Sequence, residues 1–282
     1  MISGALEPFW HVLTIACETL IECRRSHPSF LRSPFGYMRE VQLHAYSRLI
    51  WNQPDVRTYC EVGFNGGHGT AAMLLASPWL QAHSFELGHF PYTKPAQDSL
   101  RSYFGDRFIV HDGDSRATVP AFANAMRRTG RADVCDVILV DGNHAPSGSK
   151  LDVINFREIA RCNATVLIDD LNEGPGEALY KLRKEGILEV LERHDYDLQT
   201  SPETNCVRCL KQAQHSYQTQ CVDGFRCFPR WGFAIARYKG GGHCKQGVVP
   251  PMTASSANDA LAAADSKLKQ WLRQRQRSQR HR

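Results

Sequence analysis

The chain has 282 residues and a mass of 31.8 kDa, with 42% hydrophobic and 22% charged residues. These are the proportions of an ordinary globular protein, and they exclude a wholly disordered chain, a collagen-like fibre and a disulfide-stapled miniature fold. The formal net charge of +5 and pI of about 8.7 hint at an acidic partner. The excess is local, however: residues 266–282 carry seven Lys or Arg and no acid, and without them 27 basic residues face 29 acidic ones. Any nucleic-acid contact is therefore expected at this tail rather than on the body.

No stretch approaches the roughly 18–20 consecutive apolar residues that span a bilayer. Met1–Glu7 has no basic segment of the kind that opens a signal peptide, and Glu18 and Glu22 interrupt the apolar residues that follow. A cytoplasmic location is expected on these grounds. Cys60, Cys135 and Cys162 sit in apolar contexts and read as small buried hydrophobes.

In chain order, Leu6, Phe9, Trp10, Leu13, Cys17, Leu20 and Ile21 predict an amphipathic helix over 6–25. A second helix is predicted over 37–51 and closed by Asn52, Gln53 and Pro54. From Arg57 strands and helices alternate. Strands are predicted at 58–62, 82–85, 108–110, 134–140 and 165–168, and helices at 68–76, 95–103, 119–128, 151–162 and 177–185. Residues 187–191 are ambiguous between strand and helix end, 200–229 are polar and Cys-rich, and 231–238 (WGFAIARY) read as a strong strand. Gly240, Gly241 and Gly242 break the chain before a helical, basic end over 257–282. Near-continuous apolar strands separated by helices predict an α/β fold with a mostly parallel sheet covered on both faces. Three parts follow: an N-terminal helical cover over 1–56, a catalytic domain over 57–240 with its insertion at 200–229, and a tail over 241–282.

The first strand runs into Glu61-Val62-Gly63-Phe64-Asn65-Gly66-Gly67-His68-Gly69. Glycines here allow φ > 0 and close approach of a ligand, and the N–H groups of the next helix favour an anionic or polar group. The dinucleotide fingerprint G-x-G-x-x-G fails, because its second and third glycine places hold Asn65 and His68. The second strand ends in Glu86, 23 residues beyond Gly63, and the third runs into Asp112-Gly113-Asp114-Ser115.

The E-x-G-x-x-x-G turn resembles motif I of class I S-adenosylmethionine-dependent methyltransferases. The resemblance implies a doubly wound, Rossmann-like sheet of seven strands, the last antiparallel. It also implies a cofactor site in which Glu61 holds the ammonium group, Gly63, Asn65 and Gly67 shape the turn, Glu86 accepts the ribose hydroxyls, and Asp114 and Ser115 contact adenine.

The fourth strand ends in Asp141-Gly142-Asn143-His144 and the fifth in Asp169-Asp170. Parallel neighbours bring these carboxylates to one sheet edge, where crowded acids call for a cation. Oxygen donors with room for water and substrate suit Mg²⁺ or a similar ion. Asp141, Asp169 and Asp170 resemble the metal ligands of divalent-cation-dependent O-methyltransferases of the catechol and macrocin types. In that resemblance the cation binds and acidifies the acceptor hydroxyl. His144 is the candidate general base, at the place where catechol-type enzymes carry a lysine. Substrate-orienting donor and metal ligand are its other readings.

Cys206, Cys209, Cys221 and Cys227 form the one cysteine cluster, with spacing that permits a structural Zn²⁺ or simply a variable loop. The expected function is methyl transfer from S-adenosylmethionine to a hydroxyl of a small molecule such as a phenol, catechol or sugar. The rival readings are a nicotinamide-dependent oxidoreductase and an RNA-binding, RNA-modifying or catalytically silent relative. A homodimer is compatible with the sequence but not indicated by it.

Overall fold

The computed structural model describes residues 38–90, 92–131, 133–201, 206–208, 225–227 and 229–239. The predicted helix over 6–25, the tail and two of the clustered cysteines, Cys209 and Cys221, lie outside the described residues.

The described chain begins with α1 (Glu40–Asn52), β1 (Thr58–Val62), α2 (His68–Ala76), β2 (Gln81–Glu86) and α3 (Thr93–Phe104). It continues with β3 (Phe108–Asp112), α4 (Ser115–Arg128), β4 (Cys135–Val140), α5 (Pro146–Arg157), β5 (Ala160–Ile168) and α6 (Gly174–Lys184). The strands β6 (Leu188–Asp197), β7 (Cys206–Arg208), β8 (Phe225–Cys227) and β9 (Arg230–Tyr238) complete it. Seven strands form one sheet in the order β3-β2-β1-β4-β5-β9-β6, and β7 and β8 form a separate pair. Strands β1 to β5 are parallel, while β9 runs antiparallel to both β5 and β6. This is the expected seven-stranded arrangement.

Successive side chains of a strand point to opposite faces, so each central strand feeds two cores. Tyr59, Val137, Leu139, Leu167, Phe233 and Ile235 pack with α1, α2 and α3 on one face. Cys60, Ile138, Val140, Val166, Ala234 and Ala236 pack with α4, α5 and α6 on the other. Burial on both faces is why β1 and β4 are apolar almost throughout, with every residue of each buried.

Several element ends are set by chemistry at the ends themselves. Asp114 caps α4 by accepting from the Arg116 N–H at 2.9 Å. Pro146 and Pro175 occupy the first turns of α5 and α6, where no intrahelical donor is lost. The helix predicted over 151–162 is corrected at both ends: α5 starts at Pro146 and stops at Arg157, because Ala160 is taken by pairing with Cys135 across the sheet. The ambiguous 187–191 segment belongs to β6, which pairs with β9 along its length.

The cysteine reading is also corrected. Cys60 on β1 and Cys135 on β4 are joined by a disulfide with a Cα–Cα separation of 5.8 Å, and Cys162 is disulfide-bonded too. Disulfides persist in oxidising compartments, which sets this pair against the cytoplasmic expectation. No helix among the described residues is long and apolar enough to cross a membrane.

One buried pair makes stability pH-dependent. His83 on β2 is 7% exposed, lies tilted against the Phe122 ring and shares a 3.0 Å hydrogen bond with His111. Burial pushes its imidazole down to about 4. The unfolded chain, with an ordinary histidine, binds the extra proton from about pH 6.5 downward, so His83 withdraws stability as pH falls from about 6.5 to 4. Glu61, pushed up to about 7 by burial, acts in the opposite direction over much of that range. Urea midpoints of wild type and His83→Gln at pH 7 and 4.5 isolate the first effect. The variant is expected to gain about 2 kcal/mol relative to wild type on acidification, and parallel behaviour of the two proteins would refute it.

Candidate active site

The sheet order reverses between β1 and β4, and in an open α/β sheet ligands bind beyond the carboxyl ends of the strands at that point. The register makes the strand ends level. Val62 is opposite Val140, and Val140 is opposite Ile168. Backbone bonds from Asp141 N–H to the Val62 carbonyl (3.0 Å) and from Asp169 N–H to the Val140 carbonyl (3.3 Å) carry this one residue further. Gly63, Asp141 and Asp169 consequently lie side by side at the rim of a cleft of about 750 Å³, a size that suits a cofactor.

Gly63 has φ +93°, and a Cβ built on it would lie 1.9 Å from the Asp141 carbonyl oxygen. Asn65 also takes a left-handed conformation, with φ 50°. Its N–H donates to Glu86 Oε2 at 2.7 Å and its Oδ1 accepts from the Tyr92 hydroxyl at 2.6 Å. The second Glu86 oxygen accepts from the Gly88 N–H at 2.7 Å. Glu86 is thus locked in orientation while lining the cleft, and each oxygen retains accepting capacity for a ligand hydroxyl. Gly67, with φ +80°, opens α2 and is packed under Phe64.

Glu61 stands behind the turn. It lines a small cavity of about 30 Å³ together with Gly63, Asp141 and Asp169, not the main cleft. Its carboxylate accepts from the hydroxyls of Tyr59 and Ser84, each at 2.7 Å, and from that of Thr70. These bonds tie α2 to β1 and β2 beneath the glycine turn. Asp114 and Ser115 both line the main cleft. The Asp114 carboxylate turns back onto α4 and pairs with Arg116 Nη2 at 2.5 Å, which holds it down at about 2.

The acids separate into two groups. Oxygens of Asp141 and Asp170 and a nitrogen of His144 lie within 4.8 Å of one another. His144 Nε2 is 3.7 Å from Asp141 Oδ1 and 3.6 Å from Asp170 Oδ2, while its Nδ1 bonds Glu173 Oε2 at 2.8 Å. Asp169 is held apart: Gln42 Nε2 on α1 donates to its Oδ2 at 2.6 Å, and its Oδ1 accepts the Asp170 N–H at 2.7 Å. Burial pushes all three aspartates up, Asp170 to about 6, with mutual repulsion adding to it for Asp169 and Asp170. His144 is pushed up to about 10, chiefly by the Asp141 carboxylate beside it.

Glu173, Arg39 and Asp152 are among the cleft residues not singled out from sequence. Glu173 follows the Asp169-Asp170 pair in a loop and carries no motif. Arg39, just before α1, stacks its guanidinium 3.7 Å from the Trp231 ring centroid. Asp152 lies on the buried stripe of α5 with Ser149, Val153 and Phe156, where an acid among apolar residues was the available signal.

Residues 60–171 match a family model described as a methyltransferase domain. No relative among curated proteins matches the sequence. The fold superposes on that of the O-methyltransferase TomG from Streptomyces achromogenes, involved in tomaymycin synthesis and solved with S-adenosylmethionine. The TM-score is 0.52 at 16% identity, covering 79% of this chain and 90% of that one. A Klebsiella pneumoniae protein assigned provisionally to the O-methyltransferases gives a TM-score of 0.50 at 12% identity, covering 81% and 90%. At such identities the likeness concerns the fold. Together with the domain match and the sheet order, it shows that the chain carries a class I S-adenosylmethionine-dependent methyltransferase domain.

Proposed function

We propose that the protein is a divalent-cation-assisted O-methyltransferase acting on a hydroxyl of a small molecule. The observation that carries this reading is the Asp141–His144–Asp170 cluster at the rim of the cleft that also contains Gly63, Asn65 and Glu86. A half-buried pair of mutually repelling carboxylates fits a cation, and the donor atoms are close enough to share one.

In this assignment Gly63, Asn65 and Gly67 shape the turn against which the methionine end of the cofactor lies. Glu86 accepts the ribose hydroxyls, held for that task by the Asn65 and Gly88 N–H groups. Glu61 acts at one remove by bracing the turn. Asp141, His144 and Asp170 hold the cation, and Asp169, fixed by Gln42, sets the position of the Asp170 backbone. A bound divalent cation would polarise the acceptor oxygen and lower the pKa of its hydroxyl. Glu173 fixes the orientation of His144 by bonding Nδ1, which leaves Nε2 directed toward Asp141 and Asp170. His144 so placed serves as cation ligand in this reading; like the base role expected from sequence, this requires a neutral imidazole, and a cation at this place would displace the proton that the three acidic neighbours hold in its absence. Transfer itself is an in-line displacement at the methyl carbon: the acidified hydroxyl gives up its proton to water, the carbon–oxygen bond forms as the carbon–sulfur bond breaks, and S-adenosylhomocysteine leaves.

Two carboxylates and one imidazole are not an all-oxygen set. Nitrogen donors shift preference from Mg²⁺ toward later first-row ions. Titration calorimetry with each ion alone is expected to give tighter binding for Mn²⁺ than for Mg²⁺. Methyl transfer to a panel of vicinal diols and phenols should fall to background with chelator and return with Mn²⁺. Turnover insensitive to chelator would remove the cation from the mechanism and leave the methyltransferase fold intact.

A further inference from the structure

The far end of the cleft carries a charge that neither the cofactor nor the cation uses. Along the carboxyl edge of the sheet the strands follow in the order β2, β1, β4, β5, β9. Glu86 ends β2, Gly63 follows β1, Asp141 follows β4, and Asp169 and Asp170 follow β5. The next place belongs to Trp231 on β9, tied to this edge by the Leu171 N–H, which donates to the Gly232 carbonyl at 2.9 Å. Arg39 ends the row: it lines the cleft, with its guanidinium 3.7 Å from the Trp231 ring centroid. With ribose at Glu86 and the methionine end at Gly63, the cofactor occupies the β2 and β1 side. The acceptor hydroxyl then sits at Asp141 and Asp170, and the body of the acceptor extends toward Arg39.

The lining changes character along this row. Phe85, Leu87 and Phe90 supply apolar surface on the β2 side. From β4 onward the described side chains of the cleft are polar or charged, Asn143, His144, Asp170, Glu173 and Arg39 among them. A phenol or catechol ring gains little from such walls, whereas a polyhydroxyl compound finds donors and acceptors.

Arg39 is the permanent cation of that stretch among the described residues. Its charge opposes the burial that raises Asp141 and Asp170, so it acts on both carboxylates. Stacking engages the face of a guanidinium, while its N–H donors lie in the plane, in a fork that matches a carboxylate. A guanidinium bordered by Asp170 and Glu173 suits a single negative charge. A phosphate dianion would bring two charges toward the same acids.

We propose that the acceptor is a polyhydroxylated carboxylic acid of the sugar-acid class, whose carboxylate is bound by Arg39 while one of its hydroxyls lies at Asp141 and Asp170. The proposal rests on the methyl-transfer reading of the cleft and narrows it to one substrate class. The hydroxyl oxygen takes the methyl group in the displacement already described, and the carboxylate takes no part in bond making. Trp231 acts through Arg39, as the platform that holds its guanidinium.

Binding tests this without turnover. Protein loaded with Mn²⁺ and S-adenosylhomocysteine is titrated calorimetrically with glucuronate and galacturonate, and with glucose, galactose, glucose 6-phosphate and catechol. The neutral sugars cannot make the charge-assisted pair, so the better uronate is expected to bind at least about tenfold more tightly than its neutral sugar. It should also bind more tightly than glucose 6-phosphate and catechol. Arg39→Met keeps an unbranched stem over Trp231 and removes the fork, so the ratio of uronate to neutral-sugar affinity should shrink to within about threefold. Arg39→Lys should restore part of that ratio. Equal binding of uronates and neutral sugars by the wild type overturns the proposal, and this measurement does not depend on any variant folding. Tighter binding of catechol or glucose 6-phosphate overturns it too, as does a uronate preference that persists in Arg39→Met. Failure of the wild type to bind Mn²⁺ or S-adenosylhomocysteine would instead refute the methyl-transfer reading beneath it.

Discussion

Asp141→Asn is expected to weaken Mn²⁺ binding by about 100-fold or more, while affinity for S-adenosylhomocysteine stays within about threefold of wild type. The side chain supplies one of the three clustered donor groups and faces both His144 and Asp170. Asparagine keeps the shape and one oxygen but removes the negative charge. The backbone at this position has a separate task, because its N–H pairs with Val62 and its carbonyl packs on Gly63. A side-chain substitution leaves that packing alone, so the turn should survive. Methyl transfer should be lost together with the cation. Calorimetry with Mn²⁺ and with S-adenosylhomocysteine separates the two outcomes. Parallel loss of both ligands would place Asp141 in the cofactor site instead.

Gly63→Ala is the second large effect. The new Cβ would lie 1.9 Å from the Asp141 carbonyl oxygen and 2.5 Å from its carbon, in a backbone with φ +93°. Neither atom belongs to a flexible side chain, so β1 and β4 would have to part where they meet the cleft. A loss of more than about 3 kcal/mol is expected, with loss of S-adenosylhomocysteine binding. Gly88→Ala is the control. Gly88 has φ +78° but nothing within 4 Å of its built Cβ, so it should cost only the left-handed conformation, about 1 kcal/mol. Urea midpoints of the two variants measure the difference, and similar values would show that backbone conformation, not contact, sets the cost at Gly63.

The parts of this protein that follow from local pattern were readable along the chain. Strand β1 and helix α2 occur with the predicted bounds, because an apolar run ending in glycines admits few alternatives. The ends of α5 were not readable. Residues around Ile159 and Ala160 are apolar and suit helix or strand, and the choice falls to pairing between Cys135 and Ala160, which is distant in sequence. The Cys60–Cys135 disulfide was invisible for the same reason: two cysteines in apolar runs look alike whether bonded or not, and only the sheet decides which of them meet.

The candidate site divides along the same line. Glu86, Asn65, Asp141 and Asp170 could be named from strand ends, because in a parallel sheet those ends share one edge. Which acids face one another could not. Asp169 and Asp170 are adjacent in sequence, yet Gln42 from α1 draws the first away while the second joins Asp141 and His144. Asp114 and Asp152 divide likewise: the acid in the recognisable motif is consumed by Arg116, and the unremarkable one on α5 is the acid that bonds the Ser115 hydroxyl. By itself the sequence determined the alternation of strands and helices, the glycine turn and the edge on which the acids gather, since these depend on periodicity and backbone freedom within short segments. The tertiary structure alone decided the direction of each carboxylate, because that depends on donors brought in from other elements.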